Sequence, residues 1–191
     1  MDGDEFTFSS EWCLDRAMVA GRYSQGLVRE FDAHVEGRTA NVFQIFAELG
    51  ALEGAPMAHS SRTKAATQYS GKWLKGLWHK HYMQARFMAR NIMQHWKPSR
   101  LEMLLAETMS GRTAFNEEAI KVFTHSFVSD GYLLRGDAGE LTGEWIVFAR
   151  QNDISYYLTM ARHDEEDEAI WRRCVECRSD FPELLILQEN R

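Results

Sequence analysis

The sequence predicts a mainly α-helical (α+β) protein, a helical bundle around one long amphipathic helix with a small C-terminal antiparallel β-hairpin and a closing helix. Three observations carry this expectation. Apolar residues recur at three- and four-residue steps from Arg62 to Trp96, and the period changes to two after Gly143. The chain also has 191 residues, 45% of them hydrophobic and only three of them Pro, which is enough for one buried core without disulfides or metals.

Residues 1–8 read as a disordered end. Ser9 or Ser10 caps a helix running to about Val35, with Leu14, Ala17, Leu27, Val28 and Phe31 facing inward and Gly21 and Gly26 weakening it. Gly37 stops that helix, and Thr39 caps a short one over Val42–Leu49 closed by Gly50; residues 51–61 read as a loop. From Arg62 to Trp96 the spacing predicts nine helical turns, with Leu74, Leu77, Trp78, His81, Tyr82, Ala85, Met88, Ile92 and Trp96 on the apolar face and an end at Lys97-Pro98. Ser99 caps a helix to Met109, and Thr113 caps another that stops near Gly131. EWIVFAR (144–150) and ISYYLTMA (154–161) flank Gln151-Asn152-Asp153 as an expected hairpin, with one of Tyr156 and Tyr157 facing outward. Asp164 caps a helix to about Arg178, and Leu184–Leu187 could add a third short strand. The expectation is a single domain over residues 1–191, with a helical part over 10–131 and a hairpin plus helix over 143–191.

Composition excludes several classes. No apolar run approaches the roughly 20 residues of a membrane span, and the acidic start Met1-Asp2-Gly3-Asp4-Glu5 does not read as a signal or transit leader. Three cysteines (Cys13, Cys174, Cys177) fit a reducing compartment, so the expected localisation is cytoplasmic, with no membrane partner. P-loop, Rossmann and nucleophile-elbow motifs are all missing, and no cofactor is expected.

Charge is unevenly distributed. The 48 positions between Glu53 and Glu102 hold no acidic residue, where the chain average gives about seven. They hold nine Lys/Arg and four His, so the segment carries +9 against −15 for the rest of the chain. On a continuous helix, Lys64, Lys72, Lys75, His79, Arg86, Arg90 and Lys97 fall in one stripe roughly 80° wide. These are the candidate anion- or nucleic-acid-binding residues. The competing account is internal: Asp164–Glu168, or Glu117 and Glu118, pair with the stripe.

Cys174-Val175-Glu176-Cys177 is a lone C-x2-C, and no further ligands stand at a zinc-site spacing, so both cysteines read as core. His79 and His81 would point roughly 200° apart on a helix, which argues against a shared metal. The metal expectation is therefore none. Trp145 or an outward tyrosine on the small sheet could stack a base or anchor a protein.

Arg90-Asn91-Ile92-Met93-Gln94-His95 reads R-N-x-x-x-H and resembles the R-x4–6-H signature of HEPN-type ribonucleases. The resemblance covers six residues. It implies a metal-independent site shared by two paired chains, with Arg90 on the scissile phosphate, His95 in proton transfer and Asn91 in positioning. It thus implies a homodimer acting as a toxin or defence effector. His95, next to Trp96, also fits a buried structural histidine.

Three functional readings follow. The first is a binding protein for RNA or another anionic partner through the basic residues 64–97, with no chemistry required. The second is the HEPN-like ribonuclease using Arg90 and His95. The third is a non-enzymatic interaction module, such as an inhibitor or immunity protein, meeting a surface of opposite charge.

Overall fold

A computed structural model describes residues 9–56 and 61–188. The expectation for residues 1–8 lies outside the described residues, as does part of the expected 51–61 loop. The architecture is α+β. The described residues form helices α1 (Ser10–Ala17), α2 (Gln25–Gly37), α3 (Val42–Glu53), α4 (Met88–His95), α5 (Pro98–Met109), α6 (Glu117–Asp137) and α7 (Asp167–Glu176). They also form strands β1 (Arg22–Tyr23), β2 (Thr67–Gln68), β3 (Trp78–Tyr82), β4 (Glu144–Gln151) and β5 (Ile154–Ala161).

This overturns the expected bundle, because there is no helix over 62–96. That segment supplies two strands, a turn, a short 3-10 helix and α4. Trp78–Tyr82 misleads because both faces of its strand are covered. Trp78 packs among the helices α1–α3, while His79 and His81 face the other way, so the aromatic run fits a helical period as well as an extended one. Gly76, at φ 91°, ends the preceding turn in a conformation no helix contains.

The strands form one mixed sheet in the order β1-β5-β4-β3-β2. β1 runs parallel to β5, and the remaining pairs are antiparallel. β4 and β5 are joined through Asn152 and Asp153, both at positive φ, as the inner strands of this sheet and not as a small terminal appendage. Leu14, Leu27, Phe31, Ile45 and Leu49 of α1–α3 cover one face over Ile146, Phe148 and Tyr157. Ile170, Trp171 and Cys174 of α7 cover the other, with Leu74, Leu77, Phe181 and Leu187 over Val147, Ala149 and Leu158. Each fully buried Leu, Ile or Phe contributes roughly 1.5–3 kcal/mol. With both faces covered, Tyr156 and Tyr157 are both buried, against the expectation that one faces outward.

Other boundaries move for local reasons. The expected Ser9–Val35 helix breaks at Met18–Ser24, where Val19, Ala20 and Gly21 donate backbone N–H groups to Glu53 and β1 joins the sheet. α6 continues through Gly131 because the missing side chain admits the Trp96 indole, whose nitrogen would lie 2.5 Å from a Cβ there. Trp96 Nε1 donates to the Phe127 carbonyl at 2.7 Å and ties α6 to the end of α4. Leu185–Gln188 is a 3-10 turn, not a third strand.

The element that fixes β3 against the helical layer is an ion pair. Lys80 and Glu48 are 3% and 5% exposed, with Nζ 3.2 Å from Oε2. Lys80 Nζ also donates to Ser61 Oγ, Thr63 Oγ1 and the Lys64 carbonyl at 2.6–2.7 Å, so the buried ammonium is fully solvated by protein. Removing one partner leaves the other charge buried and unpaired, which costs about 3–5 kcal/mol. Glu48→Ala or Lys80→Met should each lower unfolding free energy by that order in urea titrations. The double variant Lys80→Met/Glu48→Leu should lose less than the sum of the two single losses; strict additivity would mean the pair is not coupled.

Candidate functional site

Strand alternation puts His79 and His81 on one face of β3, with ring centroids 5.6 Å apart. On the expected helix they would lie on opposite sides. Trp145 lies opposite His81 in the β3–β4 register, and Tyr69 follows β2. His163 leaves the end of β5 and folds back onto them. Its ring is 5.3 Å from His81, 4.4 Å from Trp145 and 5.9 Å from Phe87, and Tyr69 lies 4.5 Å from His79. Three imidazoles and three aromatic rings thus gather at the end of the sheet where β3 stops and β4 starts.

Gly143 makes this packing possible. A Cβ there would lie 1.8 Å from the Tyr82 carbonyl oxygen, so only glycine lets the entry to β4 press against β3. His81 Nδ1 lies 3.0 Å from the Gly143 carbonyl and 3.3 Å from its N–H. The shorter contact assigns the proton to Nδ1 and leaves Nε2 as an acceptor.

Burial, with positive charge nearby, keeps these rings neutral. Burial comes first for His79, then His163 and Lys64, and together they lower its pKa to about 4. Burial also dominates at His81, opposed by the Gly143 bond and reinforced by His79, His163 and Lys64, and its pKa falls to about 4. His163 is lowered by burial, then by Arg90 and Lys64. The same cluster holds four buried polar atoms without a hydrogen-bond partner: Tyr69 Oη, His79 Nδ1, Trp145 Nε1 and His163 Nε2. Unsatisfied buried donors and acceptors each cost about 1–3 kcal/mol, so their enclosure is destabilising and is offset by the packing of the rings around them.

The basic candidates do not form a stripe on one helix. Lys64 lies near enough to lower the pKa of all three imidazoles, His79 among them, and Arg90 near enough to lower that of His163. Lys72 and Lys75 sit on the turn before β3, with Lys72 Nζ 4.7 Å from the Trp73 ring centre. Arg86 pairs with Glu144, and Lys97 is exposed between α4 and α5. Part of the positive segment is neutralised internally, through Lys80–Glu48, Arg86–Glu144 and Arg62–Asp137 at 2.8 Å. The acidic run at 164–168 pairs instead with Arg162, Arg172 and Arg173 beside it. Among the described residues, Lys64, Lys72, Lys75, Arg90 and Lys97 make no ion pair.

The R-N-x-x-x-H residues fall on α4 in three different settings. Arg90 is exposed and close enough to His163 to depress its pKa. Asn91 is fully buried; its amide donates to the Phe87 and Thr142 carbonyls and accepts from the Thr142 N–H, fastening α4 to the residues before β4. His95 is buried edge-on to Trp96 with Nδ1 3.3 Å from Arg100, and burial followed by Arg100 lowers its pKa.

His81, His163, Trp145, Tyr69 and Glu144 complete the arrangement. Glu144 ties it together: its carboxylate accepts from Arg86 and from the His163 N–H at 2.9 Å. The alternation His79-x-His81 beside Trp78 and Tyr82 was the available signal. Cys174 and Cys177 are buried thiols on the α7 side of the sheet. Among the described residues, no group of three or more His, Cys, Asp or Glu is placed to hold a metal ion. No helix there is long and apolar enough to cross a membrane. Comparison with protein-family models, curated proteins and solved structures finds no match to this chain.

The neutral imidazoles set the acid limb of stability. For His79 and His81, folded pKa values near 4 lie below the ordinary value of about 6.5, so the unfolded chain binds more protons between those limits. The stabilisation is fully present above about pH 6.5 and is lost as pH falls toward 4. Urea midpoints should therefore drop between about pH 7 and pH 5, and His81→Gln should flatten that slope. An unchanged slope would show that His81 titrates normally.

Proposed function

We propose that the protein binds single-stranded RNA through the surface around Lys64, Arg90 and the His79–His81–His163 cluster. The observation that carries the reading is that two exposed cations without internal ion pairs, Lys64 and Arg90, act on one imidazole–aromatic cluster. Lys64 and Arg90 supply charge for phosphate oxygens, and a guanidinium can do so bidentately. The half-buried rings of Trp145, Tyr69 and His163 offer surface on which an unstacked base can lie. A phosphate also offsets the repulsion that Lys64 and Arg90 exert on a protonated imidazole. Lys72 and Lys75 extend the positive charge along the turn before β3. The net charge of −6 does not oppose this, because the local field governs the encounter.

Fluorescence anisotropy with a labelled RNA oligonucleotide tests the proposal. Affinity should fall roughly tenfold or more between about 50 and 200 mM salt, as expected for a few phosphate contacts to a single strand. Lys64→Ala and Arg90→Ala should each weaken binding several-fold across unrelated sequences and reduce the salt slope by about one contact. Lys121→Ala, at the start of α6 and paired with Glu117, should leave affinity unchanged. Binding that ignores Lys64 and Arg90, or no binding at low salt, would contradict the proposal.

A further inference from the structure

The turn at 162–166 joins β5 to α7, and most of its bonds close on itself. The Arg162 N–H donates to Glu165 Oε2 at 3.3 Å, the Glu165 N–H donates to the Arg162 carbonyl at 3.3 Å, and the Arg162 guanidinium pairs with Asp164 at 2.7 Å. Glu165 also pairs with Arg173 of α7. Among the described residues, every hydrogen bond and ring contact from this turn to the β3–β4 end is made by His163. Its N–H donates to Glu144 at 2.9 Å, its ring lies on His81, Trp145 and Phe87, and the ring also bonds the Gly143 backbone. Releasing one residue therefore frees the whole turn from the sheet end.

That attachment holds only while the rings are uncharged. From β3, His81 faces His163 with centroids 5.3 Å apart, and His79 lies 5.6 Å beyond His81. Arg90 faces it from α4 and Lys64 from the segment before β2, and both disfavour a proton on it. From β4 it meets Trp145 and Glu144, whose charge Arg86 takes, and from the 3-10 turn before α4 it meets Phe87. Asp164 of its own turn acts in the opposite sense and ranks last. Imidazolium ions stacked at this distance beside two cations repel one another. Closure also seals Trp145 Nε1 and His163 Nε2 away without partners, and opening returns both to water.

We propose that the 162–166 turn is an acid-released latch, closed over His81 and Trp145 while His163 is neutral and swung away from the β3–β4 end when the imidazoles take up protons. The sign follows from where protons bind better. Released into water, His81 and His163 regain the ordinary value of about 6.5, whereas the closed stack holds His81 at about 4 and His163 below its ordinary range. Opening therefore grows as pH falls from about 6.5 toward 4, and the opened form stays a minor population above about pH 5. The latch belongs to the free chain and does not depend on RNA binding.

The test is hydrogen exchange of the full chain by 15N–1H NMR at about pH 7 and about pH 5, expressed as protection factors so that the intrinsic rates cancel. The reporters are the His163 amide and the Trp145 indole N–H. The reference is the Ser24 amide, which donates to the Tyr157 carbonyl at 3.0 Å inside the sheet. Both reporters should be tenfold or more less protected than Ser24, and should lose roughly a further tenfold between the two pH values. About 1 M urea should accelerate Ser24 and leave the reporters unchanged, because the latch exposes little surface. His163→Phe keeps a ring without a titratable nitrogen and should cut the pH response several-fold. Arg90→Ala, at an exposed position, should also cut it several-fold and decides the matter if His163→Phe does not fold. The latch is overturned if the reporters exchange only as fast as Ser24 and with its urea dependence, or if their protection ignores pH. It is equally overturned if either folded variant keeps the full response.

Discussion

The ammonium of Lys80, sealed inside the protein against Glu48, is the contact on which the rest of the arrangement depends. A charge in the middle of a covered strand is unfavourable unless every proton on it is taken, and here the chain from Ser61 to Lys64 wraps around it to do so. That wrapping joins α3, β3 and the segment before β2 into one unit. The Thr63 hydroxyl donates to the His81 carbonyl at 2.8 Å, so the same segment also sets β3. Lys64, whose carbonyl is held by Lys80, is thereby placed where its own charge reaches all three imidazoles. The buried cation on one face of the sheet positions the exposed cation that acts on the other.

The positive segment then divides into two populations. Lys80, Arg86 and Arg62 are neutralised by Glu48, Glu144 and Asp137, and they hold layers together. Lys64, Lys72, Lys75, Arg90 and Lys97 have no such partner among the described residues, and they carry the electrostatic field. Glu144 stands between the two populations. It takes the charge of Arg86 on one side and holds the backbone of His163 on the imidazole side, so the two faces of this sheet end share one carboxylate.

What could be read from the sequence depended on how many faces each element buries. The alternating runs at Glu144–Gln151 and Ile154–Ala161 are strands, and the single-faced patterns at α3, α5 and α7 are helices, although they start from Asn41, Lys97 and Glu166 and not from the expected caps Thr39, Ser99 and Asp164. Trp78–Tyr82 was illegible because the sheet is covered on both sides, and the stretch between Gln68 and Asn91 has no Val, Ile or Thr to mark a strand. Misreading that strand as helix separated His79 from His81 and spread Lys64, Arg86 and Arg90 along a stripe that does not exist. His163, Tyr69 and Glu144 carried no local signal at all, since long-range strand pairing alone brings them to the cluster. The absence of acidic residues between Glu53 and Glu102 was legible and physically meaningful. It surrounds the imidazoles with cations and no compensating carboxylate from their own segment.

The central claim is that Lys64 and Arg90 hold a set of buried, neutral imidazoles ready for an anion. Its most direct test is NMR titration of the histidine ring protons, without ligand and with a short single-stranded RNA. In the free protein, His79 and His81 should titrate near pH 4 and His163 below the ordinary histidine range, and RNA should move the values of at least His81 and His163 upward. Ordinary histidine values in the free protein, or values that RNA leaves unchanged, would contradict the account.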